Sequence, residues 1–70
     1  MLRARAGDRV QVRLEHDEGY ALTQLRTPPG TVRAVHGSGA GADIFVELDS
    51  GERLTYSPAE LELLVPEPAA

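Results

Sequence analysis

Few side chains in this chain have the chemistry of a reactive or ligand-binding site, and their spacing limits what they can do. Cysteine is absent, which removes a thiolate nucleophile, a disulfide framework and a thiolate metal site. Ser38, Ser50 and Ser57 all stand in turn or cap contexts. Ser57-Pro58-Ala59-Glu60 has the form of a capping box, and that role accounts for the serine. The imidazoles are His16, in an acidic run, and His36, at the end of an apolar one. His16, Asp17 and Glu18 carry metal-binding groups, but metal sites need ligands that converge from a rigid frame. Three consecutive loop residues point apart, so a solvated acidic loop is expected there. Asp49 and Glu52 flank a short turn, where acidic residues serve local hydrogen bonding. No catalytic residue, metal ligand or cofactor is expected, and the chain does not read as an enzyme.

The remaining candidates suit contact rather than catalysis. All seven basic residues are arginine, and the net charge is -4. A net acidic chain lacks the broad field that drives binding to phosphate backbones, so nucleic-acid contact would need a local arginine cluster. Arg9 and Arg13 alternate outward along one strand, and Arg33 and Arg53 are expected outward on others. Together they form the candidate patch for phosphates or carboxylates. Phe45 is out of phase with Ile44, Val46 and Leu48, so it faces outward in the expected register, where an aromatic ring can anchor a contact. Tyr20 lies in a long connection and is the third contact candidate beside Arg33 and Phe45.

The elements that position these residues are strands. Ile44 to Leu48 and Glu52 to Tyr56 alternate around Asp49-Ser50-Gly51, the pattern of a β-hairpin. A three-residue loop sets Val46 opposite Leu54 and Ile44 opposite Tyr56, with Gly51 in the left-handed position. A two-residue loop would mix the apolar and polar faces. Ile44, Val46, Leu48, Leu54 and Tyr56 then form one apolar face that the rest of the chain must cover. Val10, Val12 and Leu14 alternate with Arg9, Gln11 and Arg13 in a second strand. Gly30 to His36 is a third, with Val32 and Ala34 on one face unless a bulge brings Val32 and Val35 together. Glu15 to Pro29 reads as one long connection with at most a helical turn, and Gly37 to Ala42 as a flexible small-residue loop. A short 3₁₀ turn at Ser57 to Leu61 leads to a closing strand over Glu62 to Val65.

Seventy residues make one domain, near the lower limit for a self-sufficient core. The expected organisation is a flexible stretch over 1–6, a folded body over 7–65 and a disordered tail over 66–70. The basic N-terminus has no apolar segment of the kind found in secretory signals, and no apolar run is long enough for a membrane helix. A cytoplasmic protein with no membrane contact is expected. Five short strands on so short a chain suggest an all-β fold, a small sheet bent into a barrel, because closure removes edges that a small protein cannot otherwise cover.

The phrases Gly7-Asp8-Arg9-Val10, Pro29-Gly30-Thr31-Val32-Arg33-Ala34-Val35, Val46-Glu47-Leu48-Asp49-Ser50-Gly51 and Ser57-Pro58-Ala59-Glu60-Leu61 together resemble a bacterial SH3-like barrel. The chain is similar to short bacterial families of that shape and to the KOW-type barrels of ribosomal and transcription proteins. It also looks like the barrel-shaped accessory subunits of redox complexes such as photosystem I. The likeness covers roughly Gly7 to Val65, and it consists of turn and strand residues that serve the backbone. It therefore implies a fold: five strands with one short 3₁₀ turn before the last. Peptide-binding SH3 domains grip Pro-rich ligands with a tryptophan-bearing groove, and this chain has no Trp. KOW barrels that bind RNA are usually basic, and this chain is acidic. The expected function is a protein–protein interaction module or small accessory subunit that meets another protein through Tyr20, Arg33 and Phe45. The alternative is a KOW-like RNA- or DNA-binding barrel using Arg9, Arg13, Arg33 and Arg53. Homo-oligomerisation through an open strand edge is compatible with either.

Overall fold

Leu48, Asp49, Ser50, Gly51 and Glu52 close the hairpin on which the sheet is built. Leu48 N–H donates to Glu52 O at 2.7 Å, Gly51 N–H donates to Leu48 O at 2.8 Å, and Gly51 holds φ at 97°. That conformation is strained for any residue with a Cβ, and it fixes a three-residue loop. Ile44 consequently pairs with Tyr56 and Val46 with Leu54, the expected register. The computed structural model describes residues 4–64. Its strands are β1 (Arg9–Val12), β2 (Gly30–His36), β3 (Asp43–Leu48), β4 (Arg53–Tyr56) and β5 (Leu61–Leu63). All pair antiparallel in one sheet ordered β4-β3-β2-β1-β5.

An all-β architecture is present, but the expected closure of the sheet is not. β4 and β5 are not hydrogen-bonded to each other, so each is an edge among the described residues. The link between them is short, and the 3₁₀ turn Pro58–Glu60 uses it up. Within it Glu60 N–H donates to Ser57 O, and the Glu60 carboxylate accepts from both Ser57 N–H and Ser57 Oγ. On its open-seam side β4 borders a groove of about 340 Å³ lined by Val12 of β1, Leu54, Thr55 and Tyr56 of β4, Glu60 of the 3₁₀ turn and residues of the segment that follows β1.

The core lies on one face of the sheet. Val10 and Val12 come from β1, Val32 from β2, Ile44, Val46 and Leu48 from β3, and Leu61 from β5, with Ala4 and Tyr56 packed against them. Val32 pairs with Val46 and Ala34 with Phe45, which leaves Arg33 as an extra residue on β2. This bulge returns Val35 to the core side opposite Ile44 and leaves Phe45 on the outer face. Leu54 points to the core side yet stays 39% exposed, because the edge strand has no neighbour to cover it.

Other expectations need correction. β1 stops at Val12, and Leu14, expected on the buried face, is 50% exposed because it opens a 3₁₀ turn, Leu14–His16. The connection between β1 and β2 holds a helix, α1 (Glu18–Thr23). The glycine-rich loop contains a 3₁₀ turn, Gly39–Gly41, and Ala42 after it is buried. The last strand begins one residue early, at Leu61, and ends at Leu63, short of the expected Val65; residues 65–70, including the expected tail, lie outside the described residues. Of the stretch expected to be frayed, residues 1–3 lie outside the described residues, while Arg5 N–H donates to the Asp8 carboxylate at 2.8 Å. Among the described residues no helix is long and apolar enough to cross a membrane.

The tightest backbone approach is at Gly30. A Cβ there would stand 2.7 Å from both Glu47 O and Val46 Cγ1. Gly30→Ala must therefore push β2 away from β3. The expected loss is about 2–3 kcal/mol by urea denaturation, at the upper end for overpacking. A wild-type midpoint for this variant would show that the two strands separate freely.

Candidate functional site

The acidic run that reads as a solvated loop contains the one buried charged residue among the described residues. The Asp17 side chain is fully buried. As N-cap of α1 it accepts from Tyr20 N–H at 3.1 Å, which satisfies one of the helix's free donors. The same carboxylate accepts from Thr27 N–H at 2.8 Å and Thr27 Oγ1 at 2.7 Å, tying the start of the connection to its end. Gly19 permits this approach, since a Cβ there would sit 3.1 Å from Thr27 Oγ1. Arg26 Nε lies 3.7 Å from Asp17, and Arg26 Nη2 donates to Val12 O and lies 3.7 Å from Glu62. Burial pushes the Asp17 carboxyl up, but the Thr27 and Tyr20 hydrogen bonds and Arg26 outweigh it. The pKa therefore lies below the ordinary aspartate value. Asp17 and Arg26 are the structural residues that sequence reasoning missed. The available signal was an Asp immediately before Glu18 and a helix-compatible Tyr20-Ala21-Leu22, which Gly19 obscured.

The four candidate arginines do not form one free patch. Arg9 makes a bidentate pair with Asp49, both contacts 2.8 Å, and donates to Thr31 Oγ1 at 2.9 Å. The Arg9 hydrogen bond holds the Asp49 carboxyl below its ordinary range. Arg13 pairs with Glu15 at 2.9 Å, and Arg53 pairs with Glu47 at 3.2 Å through Nε alone. Arg33, on the bulge, has no carboxylate partner among the described residues. Among those residues no cluster of three His, Asp or Glu side chains is placed to hold a metal.

Arg33 and Phe45 do come together. With Arg53, Leu54, Thr55 and Val46 they line a shallow, mostly apolar hollow of about 140 Å³ on the outer face of the sheet. Phe45 is 39% exposed, and its inner flank rests edge-on against His36, with ring centroids 4.9 Å apart. Tyr20 is not part of this hollow. It lies on α1, whose residues are all at least partly exposed, including Leu22 at 84%. Comparison with protein-family models, curated proteins and solved structures finds no match for this chain, so its site is defined by geometry alone.

The depressed Asp17 pKa makes stability pH-dependent with a known sign. Its contribution is present above the unfolded-state pKa, about 3.9, and is lost as pH falls through the lower folded value. Urea midpoints should hold from neutral pH down to about 5 and drop below about 4. Asp17→Asn should be less stable at neutral pH and show a shallower acid drop, the remainder belonging to carboxyls such as Asp49. Asp17→Ala should cost about 2–3 kcal/mol at pH 7, the penalty for stranding buried donors. An unchanged acid profile in Asp17→Asn would remove Asp17 as the acid-sensitive tie.

Proposed function

We propose that this chain is a non-enzymatic protein–protein interaction module, a small accessory subunit built as an SH3-like barrel that acts in the cytoplasm. The strand order β4-β3-β2-β1-β5, with a 3₁₀ turn between β4 and β5, supports the barrel reading, since joining the two edges would close it. The observation that carries the function is the hollow at Phe45. It combines an exposed aromatic ring with Arg33, the candidate arginine that has no carboxylate partner among the described residues. Aromatic and arginine side chains are the residue types that anchor protein interfaces. The contact surface is Arg33 and Phe45, with Tyr20 on α1 as a second contact.

The rival, a KOW-like nucleic-acid binder, requires Arg9, Arg13, Arg33 and Arg53 to meet phosphates. Three of these already hold carboxylates, and the net charge is -4. A phosphate-binding surface would have to break those pairs first, so protein contact is preferred.

Affinity capture from lysate of the source organism, with and without nuclease, separates the two. A discrete protein partner should survive nuclease and moderate salt, be lost with Phe45→Ala and be weakened by Arg33→Glu. Nucleic acid that falls off steeply with added salt would favour the rival instead. Retention of the partner by both variants would discard the proposed surface.

A further inference from the structure

Resting on the interaction-module reading, we infer that the free edge of β4 receives an extended peptide of a partner protein. The peptide adds as an antiparallel strand with the pattern apolar-apolar-acidic. Leu48 and Glu52 are hydrogen-bonded across the hairpin, so Val46 with Leu54 and Ile44 with Tyr56 are the next bonded pairs. The backbone groups of Arg53 and Thr55 therefore point away from β3, toward the open seam. Both residues carry their side chains on the outer face, beside the Phe45 hollow.

This parity determines what each peptide side chain meets. The residue opposite Thr55 leans over that small side chain into the hollow beside Phe45, and so it is apolar. The next residue lies opposite Leu54 on the core side, where Leu54 is 39% exposed, and it is apolar too. The third lies opposite Arg53 on the outer face. The Arg53 side chain is 84% exposed and pairs with Glu47 through Nε alone, which leaves its terminal nitrogens free for a second carboxylate. Arg33 adds a second cation at the same hollow. β4 already holds such a neighbour on its other side: Phe45, Val46 and Glu47 of β3 face Thr55, Leu54 and Arg53 in turn.

Charge complementarity selects this occupant over a second copy. A second β4 would bring another Arg53 to an outer edge that already carries Arg33 and Arg53. An acid placed one position earlier would enter the groove, near Glu18 and Glu60.

The probes are capped peptides carrying Phe-Val-Glu, Phe-Val-Lys and Phe-Glu-Val, titrated into the isotope-labelled chain and followed by amide chemical shifts and hydrogen exchange. Phe-Val-Glu should shift β4 amides and slow exchange at Arg53 and Thr55. The Lys peptide should bind about five- to tenfold more weakly, the scale of exchanging an opposite-charge for a like-charge cross-strand pair. Thr55→Pro removes an edge donor without touching the β3 ladder and should abolish binding. Arg53→Glu should reverse the preference between the Glu and Lys peptides, a result that a misfolded variant could not give. Shifts centred on α1, equal affinity for all three peptides, or β4 shifts that track protein concentration without peptide would each overturn strand addition. The module reading fails separately: a captured partner lost with Phe45→Ala but unaffected by Thr55→Pro keeps the module and rejects the added strand.

Discussion

The buried carboxylate of Asp17 is the constraint that the irregular half of the molecule depends on. The sheet needs the chain to leave β1, cross to the start of β2 and return, and the residues available for that route have almost nothing to bury. α1 places no residue in the core. One side chain replaces the missing apolar contacts by accepting three hydrogen bonds, at the N-terminus of α1 and from both donors of Thr27. A buried charge is tolerated only when its bonding capacity is met, and here it is, with Arg26 beside it. Arg26 in turn reaches Val12 and Glu62, and Gln11 Nε2 donates to Thr27 O, so polar contacts tie the loop to β1 and β5.

The outer face follows the same economy. Arg9 of β1 reaches past Thr31 of β2 to Asp49 in the hairpin turn, while Asp49 N–H donates to Pro29 O at 2.9 Å. These bonds cross three strands and fix the turn against the start of β2. Arg53 and Glu47 make a second cross-strand pair. Arg33, on the bulge, has no carboxylate partner among the described residues, and it lies at the same hollow as the ring of Phe45 and the edge strand β4. The bulge sets Arg33 outside the ladder, next to Ala34, the residue that pairs with Phe45.

The hairpin, its register and the outward phase of Phe45 were legible in the sequence, because period-two alternation and one left-handed glycine determine them locally. The bulge at Arg33 was legible only as an alternative, since Val32 and Val35 can share a face only if an extra residue intervenes. Asp17 was not legible. A carboxylate in the run Glu15-His16-Asp17-Glu18 looks solvated, and its burial depends on Thr27 and Arg26, which no periodicity links to it. Leu14 failed for a related reason: the strand pattern continues through it, but the chain turns into a 3₁₀ segment that sequence alternation does not register. Closure of the sheet depended on whether β4 and β5 meet, a long-range question that strand count alone does not answer.

Because α1 is held by hydrogen bonds and buries no side chain, its opening is a different event from unfolding of the sheet. Leu22 and Leu25 are already 84% and 72% exposed, so releasing the helix uncovers little new apolar surface. Its amides should therefore exchange through small local fluctuations whose free energy barely changes with denaturant, while those of β2 and β3 follow the whole molecule. The chain thus holds two kinds of stability side by side, one scaling with hidden surface and the other set by a single carboxylate.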